Sequence, residues 1–168
     1  MSGNAPDGIR LVAFDVDGVF TDGRFYLSDA GIESKAFHTQ DGYGIRRLLE
    51  AGVTVAVISG RRSEAVARRM SELGVSHVVQ GCPDKIAALD EIIARKGISL
   101  AECAYVGDDI PDLPLLNHVG YAIAVANAVP RLREECDYTT SAGGGHGAVR
   151  EVCELILSAQ GQFDSRSR

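Results

Sequence analysis

The stretch Ile9-Arg10-Leu11-Val12-Ala13-Phe14-Asp15-Val16-Asp17-Gly18-Val19-Phe20-Thr21-Asp22 decides the fold. Residues 9–14 are β-rich and apolar apart from Arg10, and the run stops at Asp15-Val16-Asp17-Gly18, which reads as a short buried strand feeding a polar loop. Runs of the same kind follow at 53–58, 75–79, 103–106 and 121–125. Between them lie stretches of helical period: Val66, Met70 and Leu73 share a face, as do Ile86, Leu89 and Ile93. A last helix is expected from 147 to about 159 on the stripe Val149, Val152, Cys153 and Ile156. Gly52, Gly74 and Gly97 follow their stripes where left-handed helix ends belong. This alternation predicts parallel βαβ units in an α/β fold. Residues 24–27 and 33–37 break it as two short strands about Ser28-Asp29-Ala30-Gly31, a hairpin.

A chain of 168 residues, 45% hydrophobic and 24% charged, is sized for one globular domain, placed at residues 9–158 with flexible polar tails at 1–8 and 160–168. At this length folding buries roughly 70% of the unfolded surface, so a core needs neither disulfides nor a structural metal. Seventeen Lys plus Arg against 23 Asp plus Glu leave a net charge of −6, which argues against nucleic acid or an anionic membrane as partner. Cys82, Cys103, Cys136 and Cys153 form no Cys-x-x-Cys pair, and buried reduced thiols are expected. With no long apolar run and no basic leader, a cytoplasmic protein is expected.

In open α/β sheets, ligands bind outside the carboxyl ends of the strands. The residues there are Asp15 and Asp17 after the first run, Ser59-Gly60-Arg61 after the second, Lys85 after the third and Gly107-Asp108-Asp109 after the fourth. Any one of these alone is commonly a turn, a cap or a surface charge. Their joint order at four strand ends is what points to chemistry. Clustered carboxylates raise one another's pKa unless a cation neutralises them, and an all-oxygen donor set suits Mg²⁺ better than zinc. Such a site flanked by a lysine, a hydroxyl and glycine-exposed N–H groups complements a phosphoryl dianion.

Asp15-Val16-Asp17-Gly18-Val19-Phe20-Thr21-Asp22, with Ser59, Lys85 and Gly107-Asp108-Asp109-Ile110-Pro111-Asp112 in order, resembles the four motifs of haloacid-dehalogenase-superfamily (HAD) phosphatases. Asp41-Gly42-Tyr43-Gly44-Ile45, Ser59-Gly60-Arg61, Gln80-Gly81 and Gly145-His146-Gly147-Ala148-Val149-Arg150-Glu151 are similar to the 3-deoxy-D-manno-octulosonate 8-phosphate (KDO 8-phosphate) phosphatase family. The resemblance implies a HAD-like Rossmannoid three-layer sandwich and a role in lipopolysaccharide precursor synthesis. It implies Asp15 as nucleophile, Asp17 as general acid and base, and Ser59 and Lys85 as phosphoryl-binding residues. Mg²⁺ would be held by the side chains of Asp15 and Asp108 and the backbone carbonyl of Asp17, with Asp109 and Asp112 as supporting groups around lysine and metal.

Related phosphatases usually carry a cap domain, whereas here only the hairpin, about 22–38, is available. The resemblance therefore implies a homotetramer in which hairpins assemble and neighbouring chains complete each site. Gly60 and Arg61 are expected to face a phosphorylated sugar acid, Arg61 gripping its carboxylate. Thr39 and Arg69 match positions that contact the sugar from an adjacent subunit, although Thr39 stands where octulosonate enzymes commonly have valine. A nine-carbon keto-deoxy sugar 9-phosphate is the alternative substrate, together with small sugar phosphates broadly. A phosphomutase is disfavoured by the missing cap. A phospho-accepting receiver module is disfavoured because such modules place their acidic pair first. Gly143 to Gly147 reads as a hinge for a tail reaching a neighbour's site, with an anion-binding nest as the other reading; His146 is expected exposed and His38 structural.

Overall fold

A computed structural model describes residues 6–162. In chain order it forms β1 (Leu11–Phe14), β2 (Tyr26–Leu27), β3 (Glu33–Ser34), α1 (Thr39–Glu50), β4 (Thr54–Ser59), α2 (Glu64–Leu73) and β5 (His77–Gln80). There follow α3 (Lys85–Lys96), β6 (Cys103–Gly107), α4 (Leu113–Leu116), β7 (Tyr121–Ala124), α5 (Pro130–Glu135), β8 (Tyr138–Thr139) and α6 (Ala148–Ala159). Among the described residues the central sheet has the order β5-β4-β1-β6-β7-β8 and its pairs are parallel.

β1 is central because it is buried throughout: Leu11, Val12, Ala13 and Phe14 are each 0% exposed, which suits a strand covered on both faces. It pairs Phe14 with Val57 of β4 and with Val106 of β6, so three strand ends finish side by side. The five expected strands are present with ends shifted by one or two residues. β8 was not foreseen, because two residues give no periodic signal. The short α4 and α5 were missed for the same reason.

Gly74 and Gly97 end α2 and α3 in the left-handed conformation, as expected. The hairpin pairs over two residues per strand instead of four or five, since this ribbon has no third strand to extend it. Its turn is closed by the N–H of Gly31 donating to Ser28 O and that of Ile32 to Ser28 Oγ. Among the described residues the cysteines are free thiols; Cys103 and Cys153 are buried, but Cys82 and Cys136 only half-buried. No described helix is long and apolar enough to cross a membrane. The expected tails lie largely outside the described residues.

The run Gly143 to Gly147 is not a hinge. The N–H of Gly144 donates to Asn127 Oδ1 at 2.6 Å and that of Gly145 to Val19 O at 3.1 Å. A Cβ on Gly144 would overlap the carbonyl oxygen of Gly18, so only glycine allows this approach. Asn127 Nδ2 also donates to Gly18 O at 3.0 Å. The N–H groups of Gly144 and Gly145 are thus spent on Asn127 and on the loop after β1, which leaves neither of them free for an anion nest. His146 is exposed and His38 half-buried.

Candidate active site

The loops at the carboxyl ends of β1, β4 and β6 and the start of α3 meet in a cleft of about 330 Å³. Asp15, Asp17, Ser59, Gly60, Arg61, Lys85, Asp108, Asp109 and Asp112 line it, so the structure brings together nearly all the residues expected at the site. Thr39 and Arg69 do not reach it: Thr39 opens α1 in an exposed position, and Arg69 pairs with Glu72 at 3.3 Å on α2.

Each side chain is aimed by a local device. Beyond β1 the chain turns tightly, with the N–H groups of Val19, Phe20 and Thr21 donating to Val16 O. Gly18 takes φ +86° there and lies where a Cβ would run into Asp108 Oδ2, so glycine lets the β1 and β6 loops touch. Ser59, the last residue of β4, is 4% exposed, and its Oγ accepts from the N–H of Arg61. Asp84 caps α3 by accepting from the N–H of Ala87 at 3.0 Å, which fixes Lys85 as the first helical residue.

Lys85 Nζ donates to Asp15 Oδ1 at 2.9 Å, to Asp112 Oδ1 at 2.7 Å and to the Tyr105 hydroxyl oxygen at 3.1 Å. Asp112 also accepts from the Tyr105 hydroxyl at 2.6 Å, and its Oδ2 accepts from the N–H of Asp108 at 3.0 Å. Asp112 thereby orients the lysine and the acidic loop with both oxygens. Asp109 caps the turn at Ile110–Asp112 by accepting from the Ile110 N–H, a supporting role of the expected kind.

Burial and the charge of Asp112, only partly offset by Lys85, push the Asp15 carboxyl up to about 6. Burial together with the charges of Asp112, Asp15 and Asp109 pushes Asp108 up to about 7. Burial works to lower Lys85, but Asp112 and Asp15 outweigh it and hold the ammonium above its ordinary range. Burial and Asp112 raise the Tyr105 phenol well above its ordinary value, so it stays a neutral donor.

Oxygens of Asp15, Asp108 and Asp112 lie within 4.8 Å of one another. Among the described residues the Asp108 carboxylate makes no hydrogen bond, whereas both Asp112 oxygens are engaged. An unpartnered carboxylate raised by its neighbours, beside a second carboxylate, is a hard-oxygen donor set that fits a divalent cation such as Mg²⁺. Asp15 and Asp108 are therefore better placed to bind it than Asp112.

Sequence reasoning missed Glu33, Lys35, Tyr105 and Asn127. Lys35 reaches Asp17 Oδ1, and Arg61 Nη2 donates to Glu33 Oε2 at 2.8 Å. Alternation along the second hairpin strand puts 33, 35 and 37 on one face, a signal that was available. Tyr105 and Asn127 carried none, because a tyrosine within a buried strand and an asparagine in a loop look like ordinary core and turn residues until the fold brings their partners to them.

A profile of haloacid dehalogenase-like hydrolases matches residues 78–151. The 3-deoxy-D-manno-octulosonate 8-phosphate phosphatase KdsC of Escherichia coli strain K12 is 46% identical over 158 residues, 94% of this chain and 84% of that protein. This chain belongs to the KDO 8-phosphate phosphatase family of the HAD-like hydrolases. Solved structures of the family agree over nearly the whole fold. The phosphatase from Yersinia pestis superposes with a TM-score of 0.94 at 44% identity, covering 96% of this chain and 87% of that one. The Moraxella catarrhalis phosphatase, in complex with magnesium ion, phosphate ion and KDO, gives 0.92 at 47% identity, covering 96% and 92%.

Proposed function

We propose that this protein hydrolyses KDO 8-phosphate to KDO and inorganic phosphate through an aspartyl-phosphate on Asp15, a step in lipopolysaccharide precursor synthesis. The observation that carries this reading is the near full-length similarity to a phosphatase whose structure holds magnesium, phosphate and KDO, combined with the convergence of Asp15, Asp17, Ser59 and Lys85 in one cleft. A carboxylate oxygen of Asp15 attacks phosphorus while the bond to the sugar oxygen breaks, and Asp17 gives that oxygen its proton. Asp17 then takes a proton from water as the water attacks the aspartyl-phosphate, releasing phosphate and restoring Asp15. Lys85 fixes the Asp15 carboxylate and, with the Ser59 hydroxyl, holds phosphoryl oxygens. Asp15, Asp108 and the Asp17 carbonyl would hold Mg²⁺, which would neutralise phosphoryl and carboxylate charge when bound.

The fold works as one domain, residues 9–158, whose cleft lies at the lower end of small-molecule sites, roughly 300–1,000 Å³. It accommodates the phosphoryl group and leaves the acid end of the sugar near Arg61 at an open mouth. Closure comes from neighbouring copies in a homotetramer, supplying Thr39 and Arg69 to the adjacent site. Exposed Phe25, Tyr26, Leu27 and Ile32 on the hairpin support this, Tyr26 being 69% exposed. The enzyme acts in the cytoplasm, where its free thiols stay reduced.

With Mg²⁺ present, phosphate release from KDO 8-phosphate, nine-carbon keto-deoxy 9-phosphates and hexose phosphates decides the substrate. KDO 8-phosphate is expected to have the highest kcat/KM. Preference for a nine-carbon substrate would transfer the assignment to the second reading, which the departure at Thr39 from the common valine leaves open.

A further inference from the structure

The Asp17 carboxylate belongs to a closed ring of charges. Lys35 Nζ donates to its Oδ1 and lies 3.7 Å from Glu33 Oε1. Glu33 Oε2 accepts from Arg61 Nη2 at 2.8 Å, and Arg61 Nε returns to Asp17 Oδ2 at 3.7 Å. Partial burial works to raise the Glu33 carboxyl, but hydrogen bonds from Ser63 and Arg61 and the charges of Lys35 and Arg61 hold it below its ordinary range. Glu33 is thus a carboxylate, and the ring is neutral overall.

The two cations are unequal. The Arg61 side chain is 50% exposed, stacks on the Phe25 ring at 4.3 Å and meets Asp17 only at long range. Its tie to the ring of charges runs mainly through Glu33. The Lys35 side chain is 1% exposed. A buried ammonium deprived of its carboxylate is strongly unfavourable, so Lys35 and Asp17 hold each other in place. Asp15, by contrast, is held by Lys85 from the sheet body.

We propose that Lys35 is the positioning residue through which the hairpin sets the acid/base carboxylate of Asp17. This rests on the role given to Asp17 above and adds a residue outside the four motifs. The flap then does more than cover the cleft: it carries the group that aims the proton donor, so the hairpin's own placement bears on turnover.

The test uses the full chain loaded with Mg²⁺ and compares Lys35→Met, Lys35→Gln and Asp17→Asn with the parent. Both Lys35 variants should lower kcat on KDO 8-phosphate about 10- to 100-fold, the cost of misplacing a reacting group by about an ångström, with KM little changed. With p-nitrophenyl phosphate, whose leaving group needs no proton, the first turnover should stay fast and appear as a burst of nitrophenolate before a slow steady state. A merely structural loss would slow the burst and the sugar phosphate equally, and that result overturns the proposal. Parent-like turnover of a folded Lys35 variant on KDO 8-phosphate overturns it too. If Asp17→Asn is inactive while both Lys35 variants are active, the inference fails and the site assignment stands. If Asp17→Asn keeps parent activity, the assignment itself fails. Thermal melting shows which variant folds, and Lys35→Gln decides if Lys35→Met does not.

Discussion

Two ionic networks meet at the cleft, one through Asp15 and Lys85 and the other through Asp17 and Arg61, and they are built differently. The first, Asp15, Lys85, Asp112 and Tyr105, grows from β1, β6 and the starts of α3 and α4, and its Asp112 and Tyr105 are buried. The second, Asp17, Lys35, Glu33 and Arg61, ties the same catalytic loop to a hairpin that pairs over two residues per strand and exposes apolar side chains. The sheet holds Asp15, the proposed nucleophile, while charge holds Asp17, the proposed acid and base, to a marginal ribbon. A two-stranded ribbon is at best marginally stable alone, so its position depends on these ion pairs and on whatever covers its outer face. On the proposed roles, the carboxylate that must not move sits on the body, and the one that would give and take a proton sits in contact with the flap.

The sharpest contrast comes from removing the proposed nucleophile, Asp15. Asp15→Asn should lower phosphate release at least about 10⁴-fold while the chain keeps its fold, measured by turnover and circular dichroism. Appreciable turnover would break the assignment of the body network to bond-making. Lys85→Met should cost about 10²- to 10³-fold in kcat. It should also cost about 3–5 kcal/mol in stability, because Asp112 and Asp15 lose their buried counter-charge. Denaturant titration checks the second figure, and a loss below 1 kcal/mol would show the cluster to be less dependent on the lysine than its geometry indicates.

The carboxylates give the next effect. Asp15 and Asp108 titrate at about 6 and about 7 when folded, against an ordinary 3.8. Their contribution to the metal-free fold is therefore fully present below pH 3.8 and lost as pH rises through about 6 and 7. Divalent cation binding needs both ionised, so the rise in melting temperature on adding Mg²⁺ should grow over that same window. Asp108→Asn should flatten both trends; an unchanged slope would mean that other groups dominate. The smallest change in the chain's own stability is expected at the hairpin's outer face. Leu27→Asp should shift unfolding by no more than about 0.5 kcal/mol in the isolated chain. Sedimentation should nevertheless show the proposed tetramer dissociating, with activity falling alongside. A variant that stays assembled would remove the hairpin from the interface.

Legibility followed the same division. Most of the body of the cleft could be read from the sequence because its residues end a strand or start a helix: Asp15 after the buried run, Ser59 after the second, Lys85 after its cap Asp84, and Asp108 after Gly107, whereas Tyr105 sits inside β6 and gave no signal. The hairpin network was not read, although its alternation was visible, because pairing Lys35 with Asp17 requires the ribbon to fold back over the loop. The misjudged glycine run has a similar cause. Composition makes Gly143 to Gly147 look loose, yet docking against Gly18 and Val19 fixes it.

By itself the sequence determined the parallel α/β architecture, the order of the strand ends and the chemical class of the cleft, since these follow from local period and from which residues interrupt it. Tertiary structure alone decided which carboxylate is spent on Lys85 and which is left for a metal. It also decided that Asn127 and Gly144 buttress the loop after β1, and that Lys35 is buried against Asp17. Those are contacts between segments far apart in the chain, where geometry and desolvation, not local pattern, select the partner.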